Sequence, residues 1–452
     1  MSDRRKKTRL VQTVKIGVFA TVLTAMCILG LLIFLRPETS LQENRTLAKF
    51  PVFSVKTLWN GEYFSGIDTW YADTYPLRES MISAQKKLES RYGLRGTQLV
   101  GGTGMVADAI PDDIPDPNVT ADPNAAPTAT PIPTSTPVPD GTVHTIGEFN
   151  GSIYITENAA FGTYYFSQSG ADHYISTMNQ VYQNIGDKVN MYVMHVPLSS
   201  AVMLDKAVIA DMGCSIESDA IDYIAGKLDP GIGNIKIYDN LLQHNAEYIY
   251  FRTDHHWTQL GAYYAYQVFC QMKGWTPHTL DQFYARDFGA GHYLGSYYRS
   301  ANQSPELAAN PDTVHAWYPM CTNPDDPNDR DMHLVQQDGS EYDWRIINDM
   351  YEYPDSEWYG VFSAADQPFC SFHNPDLNDG SAIMVVKDSY GNAFIPWLVD
   401  HYEYTYWVDF RYTDETVSHM VETYGVQDVI FEAATFNATG DLCNDLYLNI
   451  GS

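Results

Sequence analysis

The chain has 452 residues, enough for one large domain or two ordinary ones, and its 44% hydrophobic content is that of a folded protein rather than a disordered one. A net charge of −29 argues against nucleic-acid binding, since phosphates need a basic surface, and it disfavours polyanionic polymers, leaving neutral or zwitterionic partners. Aromatic residues make up 13% of the chain, with 33 tyrosines. Tyrosine offers a flat apolar face with a polar edge, which suits sugars, although the same residues also fill half-exposed strand positions.

The basic cluster Arg4, Arg5, Lys6, Lys7, Arg9 and Lys15 precedes an uncharged apolar run, Ile16–Leu35. At about 1.5 Å per residue this run spans about 30 Å of hydrocarbon. The positive-inside rule puts the N-terminus in the cytoplasm and the rest outside, as a single-pass membrane protein. A cleaved signal peptide is the competing reading, but its apolar core is shorter, about 7–15 residues, and no small-x-small site follows Leu35.

Residues 38–110 are expected to form an N-terminal helical region. Apolar residues at helical spacing around Trp59, Phe64, Ile67, Trp70 and Tyr71 predict a helix over about 55–92, interrupted at Tyr75-Pro76-Leu77-Arg78. Residues 111–140 read as a Pro/Thr-rich disordered insertion, which fits a spacer or a loop between two packed parts.

From 141 to 452 strands and helices alternate. Strands are expected at Asn190–Val196, Ile235–Tyr238, Ala382–Lys387, Tyr404–Val408 and Asp428–Glu432. Helices are expected at Ser218–Lys227, Gln259–Lys273, Asn392–Val399 and Asp414–Tyr424. Residues 275–380, rich in Asp, Asn, Pro and Tyr, read as loops with short strands. This alternation predicts an α/β domain, a parallel sheet with helices on both faces. Of the six cysteines, Cys27 lies in the apolar run, and no C-x-x-C spacing suggests zinc. The pairing of the other five, Cys214, Cys270, Cys321, Cys370 and Cys443, stays open. No metal or cofactor is implied.

Two segments carry chemistry. In Val385-Val386-Lys387-Asp388-Ser389-Tyr390-Gly391-Asn392 an apolar strand runs into Asp-Ser and then a helix, which places Ser389 just past the carboxyl end of a strand, where ligands sit in α/β sheets. Amides at the helix start are expected to face the same spot and hold an oxyanion. The alternative is a plain helix cap. In Arg252-Thr253-Asp254-His255-His256-Trp257-Thr258, Asp254 and His256 are two apart, so an extended chain points both to one side and a carboxylate orients the imidazole. The two histidines also read as metal ligands or as core residues. His195 is either a core histidine or a support to the site.

The run Thr253-Asp254-His255-His256-Trp257-Thr258 resembles the signature of the DHHW family, which is similar to the alginate O-acetyltransferase proteins with their Asp-x-His-Trp motif. Glu43-Asn44-Arg45, Leu47, Phe50-Pro51, Pro76-Leu77-Arg78, Asp388-Ser389 and Asp409 with Arg411 resemble further family elements in the same order. The resemblance implies an SGNH-hydrolase-like fold with Asp254 as orienting acid, His256 as base and Ser389 as nucleophile. Tyr390, Asn392 and Arg411 are then candidates for the oxyanion and substrate contacts. It also implies O-acetyl transfer to a cell-surface or secreted polysaccharide, with a membrane-bound O-acyltransferase partner. A carbohydrate acetylesterase and a non-catalytic polysaccharide-binding scaffold are the alternatives.

Overall fold

The computed structural model describes residues 140–440 apart from 151–152, 158, 327–329, 337, 351–352 and 414, together with 107–111, Tyr447 and scattered positions between 36 and 76. The expected membrane segment 16–35 lies outside the described residues, as does the Pro/Thr-rich insertion apart from its end residues Pro111 and Asp140. Among the described residues no helix is long and apolar enough to cross a membrane.

The chain divides into two compact units, Met1–Thr97 and Gln98–Ser452. In the first, a helix spans Glu62–Asp73 within the longer stretch expected. Arg36 lies 4.0 Å over the Trp70 ring and donates to Thr74 Oγ1 at 2.8 Å, beside the end of the helix. Residues 107–110, from the end of the stretch expected as the N-terminal helical region, fall in the second unit. There Ile110 packs on the core and the Asp108 carboxylate accepts the Gln168 amide.

The second unit is built on an eight-stranded sheet. Its strands in chain order are β1 (Asn190–Val196), β2 (Gly233–Asn234), β3 (Met332–Val335), β4 (Glu341–Trp344), β5 (Phe369–His373), β6 (Ala382–Lys387), β7 (Tyr404–Asp409) and β8 (Asp428–Ala434). The order across the sheet is β4-β3-β5-β7-β6-β8-β1-β2. The β7-β6-β8-β1-β2 part is parallel, whereas β5, β3 and β4 add on antiparallel. The sheet is therefore mixed, not purely parallel as expected. The antiparallel strands come from the loop-rich 275–380 segment, where a tight turn at Gln336–Ser340, with Gly339 at φ +79, folds β3 back on β4 as a hairpin.

Every residue of β6 is buried, because the parallel centre is covered on both sides. Ile383 and Val385 enter one core and Ala382, Met384 and Val386 the other, as the period of two requires. The first core is covered by α3 (Gln259–Lys273). The second is covered by α1 (Gln168–Ile185), α2 (Glu217–Ala225) and α5 (Val417–Tyr424). Thr258 caps α3 by accepting the Gly261 amide, and Gly274 ends it at φ +70. Where a strand was expected at 235–238, the pairing stops at Asn234 and Tyr238 opens a short helix. The helix expected at 392–399 is α4 (Gly391–Phe394) followed by a 3₁₀ turn, since Pro396 supplies no amide for a longer α-helix. The four described cysteines are free thiols.

His195 is 2% exposed, neither ring nitrogen has a partner, and the ring packs edge-on against Tyr174 at 5.1 Å. It is a core histidine. Burial lowers its pKa to about 4. Below about pH 6.5 the unfolded chain takes up a proton that the folded chain refuses until about pH 4, so this residue removes stability as the pH falls. The expected cost is about 2 kcal/mol by about pH 5. Urea unfolding of wild type and His195→Leu at neutral pH and at about pH 5 checks this, with the variant losing less on acidification.

Candidate active site

Ser389 follows β6 by two residues and is half-buried at the head of a tight turn. Asp388 builds that turn. Its Oδ1 accepts the Tyr390 amide at 2.9 Å, and its Oδ2 accepts the Ala434 amide at 2.8 Å and Asn437 Nδ2 at 2.7 Å, which pins the end of β6 to the end of β8. The Ser389 hydroxyl is therefore free of capping duty and lies 2.8 Å from His256 Nε2.

His256 sits in the connection that leads into α3. This connection is bent rather than extended, so alternation does not bring Asp254 and His256 together. Instead Asp254 Oδ1 accepts both the His256 amide at 3.0 Å and His256 Nδ1 at 2.6 Å. With Nδ1 donating to the carboxylate, Nε2 is left as the acceptor facing Ser389. The imidazole is clamped flat against the Tyr359 ring, with centroids 3.7 Å apart and planes 6° apart. Tyr359 in turn donates to the Ser389 carbonyl at 3.0 Å, Trp257 Nε1 donates to the Tyr390 carbonyl at 2.9 Å, and the Tyr390 hydroxyl donates to the His255 carbonyl. The last two bonds lock the two distant segments together, and Tyr359 braces both.

Asp254 is 3% exposed and its second oxygen accepts the Ser296 amide at 2.6 Å. Burial opposes its charge, but His256, His255 and the hydrogen bonds from His256 and Ser296 outweigh burial and hold the carboxyl well below its usual range. A Cβ on Gly295 would lie 2.3 Å from Asp254 Oδ2, so only glycine lets the backbone approach this closely. The base of the segment is fixed by buried Asp312, whose Oδ2 accepts the Thr253 amide at 2.7 Å and the Thr253 hydroxyl at 2.5 Å. Gly295 and Ser296 lie in the connection between the paired strands Tyr284–Tyr293 and Asp312–Tyr318, and Tyr359 lies in a 3₁₀ turn. All three stand in the stretch read as loops, and no spacing marks them.

The remaining candidates are committed elsewhere. Tyr390 spends its hydroxyl on His255. Asn392 Nδ2 donates to Asp366 at 2.9 Å. Arg411 is bound to Asp409 through Nε at 2.8 Å and to Asp366 through Nη2 at 2.9 Å. The amides at the start of α4 also turn inward, Gly391 to the Asp388 carbonyl and Asn392 to the Ser389 carbonyl, instead of facing the serine hydroxyl. A four-residue helix has no spare first turn. Asp254, His255 and His256 each place one potential metal-ligand atom within 4.8 Å of the others. Both His256 nitrogens, however, are engaged within the Asp-His-Ser chain.

No curated protein matches the chain. Among solved structures, a DHHW family protein from Eubacterium siraeum aligns with a TM-score of 0.59 at 28% identity, over 68% of this chain and 100% of that one. Bacillus cereus PatB1, solved with a sulfonyl adduct, aligns with a TM-score of 0.54 at 17% identity, over 66% of this chain and 97% of that one. The O-acetyltransferase domain of Pseudomonas putida AlgJ aligns more loosely, with a TM-score of 0.35 at 12% identity over 66% and 99%. The family model described as DHHW protein matches residues 43–122 and 135–408, which take in the Asp254-to-Trp257 segment and Ser389. The chain belongs to the DHHW family.

Proposed function

We propose that the chain is an O-acetyltransferase that modifies a cell-surface or secreted polysaccharide through an acyl-enzyme on Ser389. The observation that carries this reading is the hydrogen-bonded chain Asp254–His256–Ser389, with separations of 2.6 and 2.8 Å. Ser389 Oγ attacks the acyl carbonyl while His256 Nε2 takes the hydroxyl proton. The proton then passes to the leaving oxygen as its bond to the acyl carbon breaks. A sugar hydroxyl next gives its proton to His256 and attacks the acyl-serine, the sugar ester forms, and the proton returns to Ser389 Oγ. Asp254 stays ionised throughout and stabilises the imidazolium.

An anchor at residues 16–35 and a membrane-bound O-acyltransferase supplying acetyl groups complete the proposal. A PatB1 structure carries a sulfonyl adduct. Sulfonyl reagents also provide a test here, because an activated serine displaces their leaving group.

The experiment is turnover of a chromogenic acetyl ester, with and without an oligosaccharide acceptor, by wild type and Ser389→Ala. Serine-dependent release with acetyl appearing on the sugar by mass supports transfer. Release with water as the only acceptor makes the protein an esterase. A wild-type rate matched by Ser389→Ala, with no sulfonyl mass added to Ser389 by a sulfonyl fluoride, would overturn the proposal.

A further inference from the structure

The antiparallel extension leaves one sheet face open. Along β3 and β5 the inward residues Met332, Leu334, Cys370 and Phe372 are buried, whereas their alternating neighbours are half-buried or exposed. This outer face and the adjoining part of β7 line an open groove of about 750 Å³, within the range of about 300–1,000 Å³ typical of ligand sites. Its floor is a run of near-parallel rings. Tyr404 and Tyr406 are 6.3 Å apart at 5°, Tyr406 and Tyr424 are 4.7 Å apart at 28°, and Phe369 lies 5.3 Å from Tyr424 at 28°. Tyr404, Tyr424 and Phe369 are half-buried and so keep part of each ring open to the groove, whereas Tyr406 is buried.

The groove wall is polar. His333, Gln336, Ser371 and His373 line it and supply donors and acceptors, and Glu341 and Glu415 in the lining repel polyanions and accept hydroxyl or amide protons. At one end Tyr412, 40% exposed, lies under the Arg411 guanidinium at 5.4 Å. Arg411 binds Asp366, which holds Asn392, three residues from Ser389.

We infer that this groove binds a neutral or N-acetylated glycan chain, stacking sugar faces on the Tyr404–Tyr406–Tyr424–Phe369 run and holding the polymer whose hydroxyls the serine site acylates. The second half of that statement rests on the acyl-transfer reading; the binding itself does not. Sugar C–H faces are apolar and match ring faces, while their hydroxyls need the acceptors that the wall supplies.

The test is calorimetric titration of the full-length Ser389→Ala chain with hexamers of β-1,4-linked N-acetylglucosamine, β-1,4-linked glucose and an anionic uronate. Because this protein cannot form an acyl-serine, binding is read apart from turnover. The N-acetylated or the neutral hexamer is expected to bind and the uronate to bind more weakly. Adding Tyr404→Ala or Tyr424→Ala is expected to weaken binding about tenfold, whereas Tyr404→Phe retains it. Tyr424 lies near the end of α5, so its replacement leaves the strand pairing untouched, and an unchanged thermal midpoint certifies the fold. No binding of any hexamer, binding that ignores both tyrosine replacements, or a preference for the uronate overturns the inference. Tyrosine-dependent binding by a protein whose wild type fails the serine test leaves the groove standing and removes the acyl-transfer reading.

Discussion

Asp254→Asn is expected to lower kcat/KM for an acetyl ester about 10⁴-fold while the protein still folds. The carboxylate accepts three bonds, from His256 N and Nδ1 on one oxygen and from the Ser296 amide on the other. An amide side chain has one acceptor and one donor group. If its oxygen faces Ser296, its NH₂ meets Nδ1 and drives the imidazole proton to Nε2, where it opposes the serine hydroxyl. If its oxygen faces His256, its NH₂ meets the Ser296 amide and the side chain is pushed off its seat. Both orientations remove the base from Ser389. Gly295→Ala is a companion, since a methyl group 2.3 Å from Asp254 Oδ2 must displace that same carboxylate without touching its charge. Steady-state rates of the two variants, set beside their urea midpoints, separate a lost base from a lost fold. A rate within tenfold of wild type in Asp254→Asn would show that the carboxylate does not govern the tautomer.

How far this arrangement could be read in the sequence depended on the reach of each signal. The parallel strands were legible because burial on both faces turns them into continuous apolar runs, as in Ala382–Lys387 and Asn190–Val196. Gln259–Lys273 was legible at both ends because Thr258 and Gly274 punctuate it. Helix α1 went unread although Ser167 caps it and Ala171, Tyr174, Ile175, Met178, Val181 and Ile185 repeat at helical spacing. The strands β3, β4 and β5 were obscured for another reason. Each is only four or five residues long, β3 and β5 have one wet face and β4 has no buried residue, so alternation does not stand out.

The site divides the same way. Asp254, His256 and Ser389 were nameable because each lies in a segment with its own signature. Their supports were not, because Tyr359, Ser296 and Asp312 reach the site only through tertiary contacts. Asp254 and His256 meet through a bend closed by a hydrogen bond, not through the strand alternation that their spacing suggests. Tyr390, Asn392 and Arg411 are engaged with other protein groups, which residue type alone does not reveal. Arg411 belongs to an ion-pair network with Asp366 and Asp409.

That network carries the second large expectation. Lys387 closes β6 with its side chain wholly buried, and its ammonium lies 2.9 Å from Asp366 and 3.3 Å from Asp409. Burial alone would discharge it, but the two carboxylates outweigh burial and raise its pKa. Asp366 is held low in return, because Lys387 and Arg411 together outweigh its own burial. Lys387→Met keeps the length and the apolar stem but removes the charge, leaving Arg411 alone to neutralise two carboxylates. Removing one partner of a buried pair costs about 3–5 kcal/mol, and the remaining guanidinium keeps the expected loss near the lower end, about 3 kcal/mol. Lys387→Met with Asp409→Asn is expected to recover part of that loss, because the uncompensated carboxylate is then neutral. Urea unfolding of the single and double variants at neutral pH measures both. A double variant less stable than Lys387→Met would show that Asp409 is needed chiefly by Arg411, whose Nε and backbone amide both bond its Oδ1. In either case Asp366 links this charge cluster to Asn392, so its loss is expected to loosen the turn that presents Ser389 as well as the sheet beneath it.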